Sequence, residues 1–233
     1  MTRTADIFGS SVVAVGAFNP AIFSPDWLER NKLIGKGDAD GATKSSAIII
    51  SHQATVFETE WFALQVLENQ FSLTSKGALT PAIKDLAVGI FSLVPHTPIT
   101  ALGLNFLAHF KFGAEAEYHK IGDVLAPKTI WDGLYPEGRS AGMQVLSIRI
   151  QDADRGSDLR TGNEKRISIQ PSDKVRFGVL MLLNDHREIR GSADGIFPAD
   201  QAASIVDSDW QSSCDDAIRV FDYVVSNALA ARD

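Results

Sequence analysis

The sequence predicts an α+β protein: a mostly antiparallel sheet with helices packed on one face. Three observations carry this. A capped helix runs straight into an alternating strand at 80–112, short β-rich runs are punctuated by turn residues, and the chain finishes in a long amphipathic helix. At 80–112, Thr80 suits an N-cap and Pro81 the first helical position, where its missing N–H costs nothing. Ile83, Leu86, Ala87, Ile90, Phe91 and Val94 then recur at helical spacing, so one face must be buried. Pro95 and Pro98 stop the helix. From Leu102 the period becomes two, with Leu104, Phe106, Ala108, Phe110 and Phe112 on the core side and Gly103, Asn105, His109 and Lys111 among those opposite.

Taken in order, residues 11–18 form a Val-rich first strand. Ser24, Pro25 and Asp26 then start a helix that Gly35 closes. The segment 36–46, KGDADGATKSS, reads as a polar, mobile loop; its spacing lacks the ligand positions and the final Glu of a calcium loop. Residues 47–58 read as one long β-rich run, and 61–67 with 70–75 as a hairpin turning at Glu68-Asn69, since Asn tolerates positive φ. After the central helix and strand, 113–125 resumes helical spacing until Pro127, and MQVLSIRIQ is a strand.

Residues 152–164 are the most polar stretch, which at that length favours disorder. Two more strands, 166–170 and 175–185, flank a Pro171-Ser172-Asp173 turn. A second irregular stretch covers 187–198. In the terminal helix the inward face is Ala202, Ile205, Val206, Trp210, Cys214, Ile218, Phe221, Val225 and Leu229. The element order is strand, helix, three strands, helix, stated twice. It describes one unit spanning 1–233 or two similar halves, 1–97 and 98–233, each β-α-β-β-β-α, with the other sheet face free for a ligand or partner.

Composition narrows function mainly by exclusion. A formal charge of −7 and a pI near 5.2, without basic clusters, oppose non-specific nucleic-acid binding. From residue 185 onward ten acidic residues face four Arg, so the terminal helix should carry an acidic outer face. The single Cys214 excludes an internal disulfide and a cysteine-based zinc site. With no secretory signal and no run of about 18 apolar residues, the expectation is a cytoplasmic protein outside membranes. No nucleophile elbow, His-Glu-x-x-His, phosphate loop or dinucleotide fingerprint follows any predicted strand, and no cofactor is implied.

Candidate chemistry is sparse. Asn184-Asp185-His186 at a strand end is the most enzyme-like trio, with Asp185 and His186 as the catalytic candidates. His119 and Asp123 share a helix face at four-residue spacing, compatible with a metal pair or a salt-linked pair; no metal site is assigned. His109 lies on the polar side of the central strand. Asp215, Asp216 and Asp222 are the candidate partner-binding residues of the acidic helix face.

FNPAIFSPDWLERNKLIG, IKDLAVGIFSLVPHTPITALGLNF and FGVLMLLNDH followed by a long helix resemble, in pattern and order across most of the chain, a broad group of uncharacterised bacterial proteins described as sporadically distributed. That group has no assigned activity, cofactor or catalytic residues, so the resemblance implies no site. It implies a patchy accessory gene of the kind found in mobile or defence-related loci. The leading expectation is a non-catalytic adaptor or structural subunit that binds another protein or its own copies. The alternative is a small-molecule-binding protein or hydrolytic enzyme using the Asp185–His186 region.

Overall fold

At the centre of the computed structural model, strand β1 (Ile7–Gly16) pairs antiparallel with β6 (Ile99–Lys111), Ile7 opposite His109 and Ala14 opposite Leu102. The structure describes residues 4–77, 81–131, 134, 141–150, 163–189 and 197–231. Outward from β1 lie β5 (Gln70–Ser75), β4 (Phe62–Leu67), β3 (Ala54–Glu58) and the two-residue β2 (Ile49–Ile50). Outward from β6 lie β9 (Gly178–Glu188), β8 (Glu164–Pro171) and β7 (Leu146–Ile150). All neighbours are antiparallel, and the order β3-β4-β5-β1 on one side matches β7-β8-β9-β6 on the other.

Between β1 and the first meander run α1 (Pro25–Arg30) and α2 (Lys36–Lys44), and α3 (Ala82–Leu93) follows it. The second half inserts α4 (Glu115–Leu125) and ends in α5 (Pro198–Ala230). With α1 and α2 taken as one helical connection and the two-residue β2 set aside, each half is a β-α-β-β-β-α unit. The two closing helices, α3 and α5, pack on each other and on the central strands. Hydrophobic burial holds this layer together: Ile83, Leu86, Ile90 and Phe91 of α3 and Leu102, Leu104, Phe106 and Phe110 of β6 are all buried, on the faces their spacing predicts. Fully burying one such side chain is worth about 1.5–3 kcal/mol. Phe106 meets Trp210 edge-on at 5.2 Å between ring centroids, and Phe71 meets Phe91 at 5.0 Å.

Several elements differ from the sequence expectation. The stretch 36–44 is helix α2, not a loop: Gly35 is its N-cap, Asp38 sits favourably in the first turn, and the small Ala39 and Ala42 bury one side. The run at 47–58 is split into β2 and β3, because Ser51 turns the chain, its Oγ accepting from Gln53 N and Ala54 N. Ser24 caps α1 as expected, accepting from Trp27 N at 3.2 Å, but that helix stops at Arg30.

Along α5 the buried stripe runs Val206, Trp210, Cys214, Ala217, Phe221, Val225 and Ala228. Ile218, predicted inward, is 43% exposed: Ala217, about 100° away round the helix, takes the inward position and leaves Ile218 at the edge of the stripe. Thr80, residues 152–162 of the polar stretch 152–164 and residues 190–196 of the irregular stretch 187–198 lie outside the described residues.

The opposite sheet face carries a cross-strand row of polar residues, Arg149, Arg166, Asn184, Asn105, Ser11 and Thr74, each paired with the next through the ladder. Asn184 Nδ2 donates to Asn105 Oδ1 across β9 and β6, lying over Gly103. A Cβ at that glycine would sit 2.5 Å from the same nitrogen.

Candidate functional site

The apolar inner face of β9 turns charged at its end. Val179, Met181 and Leu183 point at the helices, and Asp185 and Arg187 continue the same alternation. Helix α5 meets this end with a polar stripe, Asp209, Ser213 and Asp216, one step round from its apolar stripe. The result is a charged seam between α5 and the β8–β9 end of the sheet.

Asp185 is its buried centre, with a side chain only 2% exposed. It accepts from Ser213 Oγ at 2.7 Å and from Arg187 Nη2 at 3.0 Å, and the same Arg187 nitrogen lies 3.4 Å from Asp209. A carboxylate removed from water needs such partners, since an unpaired buried charge costs several kcal/mol. Lys165, directly across the ladder from Asp185, pairs with Asp216, which also holds Arg219. Burial pushes the Asp216 carboxyl up, but hydrogen bonds from Lys165 and Arg219 outweigh it and hold the group below its ordinary value. Alongside runs a groove of about 320 Å³, floored by Ile150, Ile167, Leu183 and Val220 and edged by these charges.

His186 does not join them. Strand alternation sends it to the opposite sheet face, where it stands across the ladder from Glu164. Glu164 is buried there and holds Arg166 and, at 3.3 Å, Arg149. Burial lowers the His186 pKa, the nearby Arg166 adds to this, and Glu164, Glu188 and Asp185 oppose it. The catalytic candidates Asp185 and His186 are therefore neighbours in sequence whose side chains lie on opposite faces of the sheet.

The three partner-binding candidates also part company. Asp216 turns inward to Lys165, whereas Asp215 is exposed and accepts from Gln211 Nε2 at 2.8 Å. Asp222, a half-buried residue, accepts from Ser226 Oγ at 3.5 Å. One residue along a helix is about 100° of rotation, enough to move a side chain from the solvent to the seam.

His119 and Asp123 do share a face, and both line a cleft of about 210 Å³ with Met143 and Pro171. Each has its own partner: His119 Nε2 lies 3.5 Å from Glu115, and Asp123 lies 2.7 Å from Lys128 Nζ. No group of three His, Cys, Asp or Glu poised to hold a metal occurs among the described residues.

His109 is buried on the outer sheet face, its Nδ1 2.7 Å from Ser172 Oγ. Ser172 Oγ already accepts from Lys174 N and Val175 N, so its hydroxyl hydrogen is left to donate to His109, which fixes a neutral ring accepting at Nδ1. Burial lowers the His109 pKa in the same direction. Sequence reasoning misses this pairing; the one available signal is Ser172 in a Pro-Ser-Asp turn, where a serine commonly folds back onto its own backbone. Cys214 is buried and its thiol is pushed up to about 11, chiefly by burial, which leaves it unreactive.

No described helix is long and apolar enough to cross a membrane. No protein family, curated protein or solved structure matches this chain.

Proposed function

We propose that this protein is a non-catalytic protein-binding module, an adaptor or structural subunit, that docks its partner along the β7 end of its sheet. The observation that supports it is the state of β7. Among the described residues this five-residue strand pairs with β8 and stands last in the sheet order. Leu146, Ile148 and Ile150 occupy the helix-side face of the sheet, the face that elsewhere forms the core, yet Ile148 is 44% and Ile150 48% exposed. A main-chain ladder beside an apolar stripe is the arrangement by which an exposed sheet edge accepts a further strand. The opposite edge is blunted, because β2 has only two residues.

The test is capture of partners from extract of the source cells on immobilised protein, wild type against the Ile148→Lys, Ile150→Lys double variant. A partner held by the wild type and lost from an equally stable double variant is the expected result. Equal recovery on both would remove the reading.

A second reading, small-molecule binding, is supported by the groove beside α5, whose apolar floor and charged edge suit an amphipathic ligand. Its expected outcome is a ligand-induced rise in Tm that Lys165→Ala abolishes.

A further inference from the structure

We infer that the turn joining β8 to β9 is an acid-released latch: neutral His109 holds the Ser172 hydroxyl, that hydroxyl holds the turn, and protonation of the imidazole lets the turn open.

The turn is closely wound. Ser172 N donates to Gly178 O at 2.8 Å, and the chain between them passes so near Gly178 that a Cβ there would lie 2.2 Å from Val175 Cγ2 and 2.9 Å from the Val175 carbonyl oxygen. Phe177 has a φ of 51°, in the left-handed region that bulky residues rarely adopt and that persists only where the surroundings enforce it. Inside the turn, Ser172 Oγ accepts from Lys174 N at 3.1 Å and from Val175 N at 3.0 Å. A strained turn depends on such bonds to stay closed.

The inventory of donors decides what acid does. With the lone pairs of Ser172 Oγ taken by the turn, its one hydrogen goes to His109 Nδ1 at 2.7 Å, which a neutral ring accepts. A protonated ring carries N–H at both nitrogens and has no acceptor left. Two hydrogens would then face each other between Nδ1 and Oγ, and the hydroxyl can receive Nδ1–H only by turning a lone pair away from Lys174 N or Val175 N. The turn loses a bond with the proton taken up.

The surroundings favour the neutral ring while the turn is closed. His109 is buried, which lowers its pKa; beside it Asp173 favours the imidazolium and Lys174 opposes it, and those two form an ion pair at 3.7 Å. Its ladder neighbours, Ile7 of β1 and Leu180 of β9, carry no charge. Lys111 follows two positions on along β6, the Asp6 carboxylate before β1 accepts from Lys111 N, and Arg176 lies over the Phe177 ring. An open turn exposes the imidazole to water and restores its ordinary value of 6.5, so falling pH drives opening.

NMR of the full chain reads both halves of this coupling. At about pH 7.5 the wild type is expected to hold the His109 hydrogen on Nε2 and to protect the Lys174 and Val175 amides from solvent exchange. As pH falls to about 5 the ring protonates, and the protection of these two amides, taken against an unstructured chain at the same pH, falls about tenfold while Leu104 and Phe106 of β6 keep theirs. His109→Asn, whose amide oxygen can accept near the Nδ1 position without titrating, is expected to hold the protection constant; Ser172→Ala should lack it already at about pH 7.5. A ring that protonates while the turn amides stay protected overturns the latch. So does a ring still neutral at about pH 5, a hydrogen found on Nδ1 at about pH 7.5, a loss shared equally by Leu104 and Phe106, or a loss that recurs in His109→Asn. The wild-type spectra alone decide between these outcomes if either variant fails to fold.

Discussion

Ser213 Oγ on α5 donates to Asp185 Oδ2 on β9 at 2.7 Å, a hydrogen bond between two buried side chains that ties the last helix to the sheet. Removing the acceptor leaves the hydroxyl orphaned and deprives Arg187 of its closer carboxylate. Asp185→Ala is expected to cost about 3–5 kcal/mol, as breaking one side of a buried ion pair does. Ser213→Ala should cost about 1–3 kcal/mol. Urea denaturation of both variants checks this, and an Asp185→Ala protein as stable as wild type would mean the seam contributes nothing.

Phe221 is buried on α5, its ring centroid 6.4 Å from that of Phe8 on β1. Phe221→Ala should cost about 3–5 kcal/mol through lost burial and a residual cavity. The outward Ile218→Ala and Asp215→Ala should each stay within about 0.5 kcal/mol, whereas Asp216→Ala, which frees Lys165, should cost more than either. Thermal melts of the four variants rank them directly. Equal shifts for Ile218→Ala and Phe221→Ala would show that the helix is rotated so that both side chains are equally buried.

The pH response combines two histidines and one carboxyl. His109 and His186 both titrate below 6.5 when folded, so as pH falls through that value the unfolded chain takes up their protons first. Stability is therefore expected to fall from about pH 7 downward. His109→Gln should flatten part of that slope, read from denaturation midpoints at several pH values. For Asp216 the folded value lies below 3.8, so its contribution is complete above that value and disappears as pH falls through the folded one. A stability profile flat from neutral pH down to about 5 would contradict the burial of the two imidazoles.

Cys214 offers a probe of opening. A buried thiol with a pKa near 11 should not react with an aromatic disulfide reagent at pH 8 in the native protein and should react fully in denaturant. Rapid native labelling would show that α5 lifts from the sheet on the timescale of the assay.

Local periodicity makes the α3–β6 segment and the stripe through Trp210 and Phe221 legible in the sequence, because burial selects residues at 3.6 or 2 spacing. The twofold element order is legible for the same reason. The charged seam is not: Asp185 and Ser213, or Lys165 and Asp216, are brought together only by the order of strands, which no local pattern encodes. Asp185-His186 resembles a catalytic pair because adjacency along the chain is visible and strand alternation is easily overlooked. Helix α2 is hidden for a different reason: a short polar segment with two glycines gives no periodic signal, and its helical state depends on packing against α1.

The central pairing of β1 with β6 also governs the order in which the chain can mature. Synthesis delivers β1 first and its second neighbour only after β5 and α3 have emerged, so a growing chain holds β1 against β5 with its other side open. That open side presents the peptide N–H and C=O groups that β6 later pairs, the kind of edge by which nascent chains stick to one another. Release from this state waits on residues 99–111 leaving the ribosome, so the pairing that closes the sheet's centre forms only after the whole first meander and α3 are made.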